Sequence, residues 1–160
     1  MAEPAPAPEA TAPLVTLVTS DAQRFVVTRG VVALCKTILN ILDECSGDDG
    51  APLVPLPAVD AATLTHFIVV ANKAVELKEE VREWFKEYAT KNLSQKDLFE
   101  LLMAANYLNA KVVLDACCNF VASMIAGKTP EQIREVFNIK NDFSVEEEEE
   151  ILRENAWAFE

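Results

Sequence analysis

The chain has 160 residues, of which 51% are hydrophobic, which predicts one compact domain or one domain with a small appended module. Its 26 acidic and 14 basic residues give a formal net charge of −12, which argues against nucleic acid and anionic membrane surfaces as partners. No apolar run approaches the ~18 residues of a membrane-spanning helix, so we predict no membrane partner.

The first half of the chain predicts a small sheet with helices. Residues 1–13 are rich in alanine and proline, and we expect them to be disordered and outside the fold. Residues 15–18 and 25–27 are short β-branched or aromatic runs around a polar turn, which predicts a β-hairpin. Apolar residues at helical spacing predict a helix from about Cys35 to Cys45, ended by residues 46–50. The prolines of residues 53–57 confine that segment to an edge strand or a bounded extended segment.

The middle of the chain predicts further helices. Asp60 is a suitable N-cap for a helix that carries Leu64 and Phe67. Residues 75–92 are highly charged and carry three aromatic residues, so we predict a linker with an aromatic anchor. Ser94 is expected to cap a helix that runs to about Leu108. A second helix then runs to about residue 125, and the short connection predicts that the two pack as a helical hairpin.

The last third predicts short helices with strong start signals. Gly127 ends the preceding helix, and Thr129 to Gln132 combine an N-cap threonine, a proline at the first helical position and glutamine at the third. Ser144 to Glu147 form a second capping box. Together, the predicted strands and helices indicate an α+β fold with a helical C-terminal extension. Residues 141–160 hold eight acidic residues and one basic residue.

The sequence offers few groups for catalysis. The four cysteines lack the spacing of a metal site and are expected to be reduced thiols packed as small apolar side chains. The lone His66 lies beside Phe67 on an amphipathic helix. Five consecutive glutamates, Glu146 to Glu150, fan out around a helix axis and cannot converge on one ion. We therefore predict no metal, no cofactor and no enzymatic activity.

The acidic tail also carries large apolar residues. Helices of 8–12 residues are too short to be stable alone. Periodicity leaves two arrangements open: the tail packs back and completes the core, or it builds a groove that a partner helix completes. The apolar residues concerned are Ile133, Phe137, Ile139, Phe143, Ile151, Leu152, Trp157 and Phe159.

Several motifs closely resemble those of the Skp-type adaptors of SCF ubiquitin ligases. The C-terminal signature of that family is matched by residues 127–134 (GKTPEQIR), 137–143 (FNIKNDF) and 154–157 (ENAW). Residues 104–108 (AANYL) match its central motif, and 54–57 (VPLP) with the Trp84-x-x-x-Tyr88 pair match two more. The similarity covers about residues 14–160, and the closing WAFE looks like the plant branch of the family.

The resemblance implies a BTB/POZ-like domain over 14–126 that binds a cullin scaffold. It also implies a C-terminal helical module over 127–160 that clasps the F-box of a substrate receptor. Of the two arrangements of the tail, the resemblance thus favours the open groove. Carried over, Ile38, Asn106 and Tyr107 would lie at the cullin face. The residues that would line or support the F-box groove are Ile133, Phe137, Ile139, Phe143, Ile151, Asn155 and Trp157. A protein of the nucleus and cytoplasm is implied as well.

The sequence therefore favours a non-catalytic adaptor that joins a cullin to F-box proteins. We expect the short C-terminal helices to gain order when the F-box binds. The chain departs from the family pattern in places, since Val75 to Glu83 replace a longer acidic loop and Val112-Val113 stand where Gly-Leu is common. The F-box signature is better kept than the N-terminal half. Two alternatives stay open: an F-box partner that acts outside a cullin ligase, and a self-associating BTB-type interaction protein.

Overall fold

The computed structural model describes residues 14–44 and 52–158. The predicted tail over 1–13, Cys45 and the predicted helix end over 46–50 lie outside the described residues. The chain divides into two compact units between Ala122 and Ser123. This boundary falls inside a long helix, a few residues before the predicted one at 126.

The first unit contains a three-stranded sheet. Strands β1 (Val15–Thr19) and β2 (Arg24–Val27) are antiparallel, which confirms the predicted hairpin. Strand β3 (Leu53–Leu56) pairs in parallel with the other side of β1, so the order is β2-β1-β3. Pro55 thus lies in an edge strand, where its missing N–H costs little. Alternate residues of β1, among them Leu17, face the core and are buried.

Two helices of this unit begin at the predicted caps. The Asp60 carboxylate accepts a hydrogen bond from the Thr63 N–H at 2.8 Å, and Ser94 forms a capping box with Asp97. None of the helices among the described residues is long and apolar enough to cross a membrane. The helices that begin in this unit are α1 (Arg29–Ala33), α2 (Lys36–Glu44), α3 (Ala61–Leu77), α4 (Val81–Asn92), α5 (Gln95–Tyr107) and α6 (Lys111–Ile125).

The prediction of a linker over residues 75–92 is wrong. This segment holds the end of α3, a 3-10 turn and all of α4. Val81, Phe85 and Ala89 recur every four residues and form a buried face. The Phe85 ring meets the ring of Phe120 edge to face, with 6.0 Å between the centroids. The many charged residues of α4 occupy its other faces and conceal this apolar stripe in the sequence.

The predicted packing of α5 on α6 is not the main contact of α5. Its backbone lies closest to α3. A short connection makes two helices neighbours but does not fix the face on which each packs. Ala104 and Ala105 of α5 and Ala71 and Ala74 of α3 are all buried, and small side chains at a helix contact permit a short distance between the axes.

The second unit consists of the end of α6 and two short helices. Helix α7 (Pro130–Phe137) and helix α8 (Val145–Glu154) are followed by a 3-10 turn over Ala156–Ala158. Both predicted capping boxes are confirmed. Gly127, with φ +71°, follows α6 in the left-handed region that glycine favours. No residue of α7 or α8 is buried.

Candidate functional site

Two of the described thiols in the first unit are buried in its core. Cys35 and Cys117 are buried, and burial raises the pKa of each to about 12. Such thiols stay protonated at neutral pH and are poor nucleophiles. Cys118 is exposed. Over residues 14–44 and 52–158, no cluster of His, Cys, Asp and Glu side chains could hold a metal ion.

His66 belongs to a contact between two helices. Its Nδ1 lies 2.8 Å from the hydroxyl oxygen of Tyr88, which joins α3 to α4. The Tyr88 ring stacks on Trp84 with 4.9 Å between centroids, and burial raises the pKa of Tyr88. The Trp84-x-x-x-Tyr88 motif therefore helps to hold α4 in place, and His66 takes part in this packing.

The end of α5 is tied to the start of α2. The Thr37 hydroxyl donates to the main-chain oxygen of Tyr107 at 2.8 Å, and the Thr37 N–H donates to the oxygen of Leu108 at 3.3 Å. The side chains of Asn106 and Tyr107 are exposed beside this junction. The side chains of these two predicted contact residues are therefore open to a partner, while the hydrogen bonds from Thr37 hold the backbone beside them.

Ile38 is not available as a contact residue. Its side chain is 0% exposed, so a partner at this part of α2 would meet the neighbours of Ile38 and not Ile38 itself. Helix α2 is amphipathic, and one turn of 3.6 residues places adjacent positions on different faces. Leu39 is an exposed apolar residue of this helix. The resemblance thus points to α2, and Ile38 lies on the buried side of that helix.

Helix α5 also exposes two apolar residues that the sequence did not single out. Phe99 and Met103 precede Tyr107 at intervals of four, so the three share one face of the helix. The buried residues of α5 occupy its other positions. In the sequence, the signal for this surface is a second apolar stripe of α5, separate from the stripe that predicts the core face. We call Phe99, Met103, Asn106 and Tyr107 the α5 surface.

A second exposed apolar surface lies in the C-terminal unit. Trp157 is 76% exposed, while Ile133, Phe137 and Asn155 are half-buried. Such exposure is what an open groove predicts, and large exposed apolar patches mark interaction sites. We call the exposed members the tail surface: Ile139, Phe143, Ile151, Leu152 and Trp157.

Local hydrogen bonds shape the segments that carry this surface. Asn138 ends α7 in the left-handed conformation with φ 52°, and the Ile139 N–H donates to the oxygen of Arg134 at 2.8 Å, the bond of a Schellman motif. The Asn155 amide donates to the oxygen of Ile151 at 2.8 Å. Asn155 therefore supports the end of α8 instead of presenting its amide to a partner.

Two family models match the chain. The model described as Skp1 family, tetramerisation domain, matches residues 13–75, and the model described as Skp1 family, dimerisation domain, matches residues 111–158. The two matches together cover the N-terminal and the C-terminal parts of the described residues. They leave out residues 76–110, which hold α4 and the α5 surface.

Full-length relatives have similar sequences. SKP1-like protein 1A of Arabidopsis thaliana is 42% identical over 91% of this chain and 97% of its own length. SKP1-like protein 1 of Oryza sativa subsp. japonica is 39% identical over 92% of this chain and 95% of its own length. A Dictyostelium discoideum protein named SCF ubiquitin ligase complex protein SKP1b is 39% identical over 90% of this chain and 94% of its length.

Proposed function

The chain belongs to the Skp1 family, and we propose that it is a non-catalytic adaptor of an SCF ubiquitin ligase, where it joins a cullin scaffold to F-box substrate receptors. One observation carries this proposal: two exposed apolar surfaces lie on two different units of the chain. The name of the Dictyostelium relative supports the ligase context. Such an adaptor contributes proximity between a substrate and a ubiquitin-charged enzyme.

We assign the α5 surface to the cullin. Tyrosine, phenylalanine and methionine are enriched in protein interfaces, and Phe99, Met103 and Tyr107 lie on one side of one helix. The Thr37 hydroxyl fixes the main chain of Tyr107, so the aromatic anchor loses little backbone freedom on binding. Asn106 adds a polar group beside this anchor.

We assign the tail surface to the F-box. Burial of one large apolar side chain contributes roughly 1.5–3 kcal/mol, and the tail surface holds several that are exposed. Ile133 and Phe137 of α7 are half-buried and form the supporting part of the same unit. A partner helix with an apolar face fits this arrangement.

The departures from the family pattern in the middle of the chain favour one second candidate, an F-box partner that acts outside a cullin ligase. Residues 76–110 lie outside both family models, and they include the surface that we assign to the cullin. A self-associating BTB-type protein is a third candidate, which a stable homodimer in F-box excess would support. In each case we propose that the protein works in the nucleus and cytoplasm.

The test is a pull-down with the full chain as bait, an F-box segment and a cullin N-terminal domain. The adaptor proposal predicts capture of both partners, separately and together. Capture of the F-box segment without the cullin domain would favour the second candidate. Capture of neither would overturn the proposal.

A further inference from the structure

We propose that Glu148 is a positioning residue that holds the tail surface in its binding geometry before a partner arrives. Its carboxylate connects α7, the connection over residues 138–144 and α8. This inference rests on the proposed function, since the tail surface is the one that we assign to the F-box.

One carboxylate oxygen makes both connections. Glu148 Oε1 accepts a hydrogen bond from Asn141 Nδ2 at 2.7 Å. The same oxygen accepts one from Arg134 Nη1 at 3.3 Å. Arg134 lies on α7, Asn141 in the connection and Glu148 on α8. Hydrogen bonds to an ionised carboxylate are stronger than neutral ones.

The ion pair of Arg134 and Glu148 is better shielded from solvent than six other ion pairs among the described residues. The Arg134 side chain is 22% exposed and that of Glu148 is 36% exposed. Six other ion pairs, among them Lys73–Glu76 and Arg82–Asp115, each have at least one side chain that is more than half exposed. Exposed pairs contribute little because water and salt screen them. We therefore expect the pair of Arg134 and Glu148 to contribute more to the structure of the C-terminal unit than an exposed pair would.

Glu148 differs from its four acidic neighbours. Its position shares a helix face with Ile151, Leu152 and Asn155, which follow three, four and seven residues later. Glu147 is occupied at the helix start, where it accepts from the Ser144 N–H at 2.8 Å. Glu149 lies next to Glu148 on α8 but about 100° around the helix axis. It therefore serves as a matched control.

The hydrogen bonds continue from Glu148 to two residues of the tail surface. Asn141, which donates to Glu148, accepts at Oδ1 from the Phe143 N–H at 3.2 Å. Arg134, the other donor, accepts at its main-chain oxygen from the Ile139 N–H at 2.8 Å. The backbones of Ile139 and Phe143 are thus each one hydrogen bond away from a partner of Glu148. A connection that is formed in the free protein would protect these amides before a partner binds, whereas the ordering on binding that helix length alone predicts would leave them unprotected.

The test uses the full chain with Glu148→Ala, Glu148→Gln and the control Glu149→Gln. We expect Glu148→Ala to weaken binding of an F-box segment by about tenfold, since a hydrogen bond to a charged group is lost. Amide hydrogen exchange at Ile139 and Phe143 in the free protein should become faster. Glu148→Gln should give intermediate values because its amide oxygen still accepts from Asn141, and Glu149→Gln should match the unaltered protein.

Equal exchange rates and equal F-box affinities in Glu148→Ala and Glu149→Gln would overturn the inference. If Glu148→Ala loses its helices by circular dichroism, the comparison of Glu148→Gln with Glu149→Gln decides in the same way. If the unaltered protein binds no F-box segment, the proposed function fails, while the exchange rates of the free protein still test the role of Glu148.

Discussion

The hydroxyl of Thr37, at the start of α2, donates a hydrogen bond to the main-chain oxygen of Tyr107, at the end of α5, over 2.8 Å. The two residues are 70 positions apart in the chain. This bond uses one of the last carbonyls of α5, which have no partner within their own helix. Tyr107 is thereby presented from a fixed backbone, and its side chain is left to solvent or to a partner.

We expect the double change Asn106→Ala with Tyr107→Ala to weaken binding of a cullin N-terminal domain. Loss of a tyrosine anchor typically costs about 2 kcal/mol, or roughly 30-fold in affinity. Binding of an F-box segment should be unchanged, because the tail surface lies on the other unit. Titration calorimetry with each partner measures both values. Loss of both partners together would mean that the two residues belong to the core.

We expect Ile38→Ala to lower the free energy of unfolding by about 2–5 kcal/mol, because it leaves a cavity at a fully buried position. Leu39→Ala, at the exposed next position of the same helix, is the matched control and should cost much less. Urea titrations of both variants measure the difference. If the Ile38→Ala variant had unchanged stability but bound the cullin more weakly, Ile38 would contact the partner directly.

We expect Trp157→Ala to reduce F-box affinity by roughly 30-fold, the typical effect of losing an aromatic anchor. The free energy of unfolding should change by no more than about 0.5 kcal/mol, since the side chain is exposed. Fluorescence anisotropy with a labelled F-box segment and a thermal melt of the free protein give the two numbers. A large loss of stability with unchanged affinity would place Trp157 in a structural role.

We expect the stability of the protein to fall in acid partly through Asp60. Hydrogen bonds from Thr63 hold the pKa of this N-cap carboxyl below its ordinary value of 3.8. A pKa lowered on folding stabilises the folded state above pH 3.8, and this contribution is lost as the pH falls through the lowered value. Asp60→Asn should keep the cap but remove this part of the pH dependence, while Asp60→Ala should cost about 1 kcal/mol at neutral pH.

Unfolding curves between about pH 2 and pH 7 compare the three proteins. The Asp60→Asn variant should lose less stability than the unaltered chain on going from neutral to acid pH. Parallel losses in the two proteins would show that the Asp60 carboxyl is not the group responsible.

The elements that sequence reasoning predicted correctly depend on neighbours close in the chain. The caps at Ser94, Thr129 and Ser144 use a partner three residues later, so a short motif contains the whole signal. Helix α4 was missed because the burial of Phe85 involves Phe120, which lies far along the chain. The charged residues of α4 predict a segment exposed to solvent, and only the tertiary packing shows that one face of the helix is buried.

The candidate sites follow the same division. The family motifs predict Asn106, Tyr107 and apolar residues of the tail as contact residues, and the structure leaves Asn106 and Tyr107 exposed but buries Ile38, which the motifs place at the same face. Five adjacent glutamates are equivalent in sequence, so the role of Glu148 emerges only with the positions of Arg134 and Asn141. Residue type and spacing thus locate a surface, whereas the direction of each side chain requires the fold.

The most direct test of the adaptor role is the mass of the complex that forms when the full chain, an F-box segment and a cullin N-terminal domain are mixed. We expect size-exclusion chromatography with light scattering to give one particle with one copy of each, since the two surfaces lie on different units. The F-box segment should also bind equally well with and without the cullin domain. Two separate binary complexes, in which one partner displaces the other, would contradict the account.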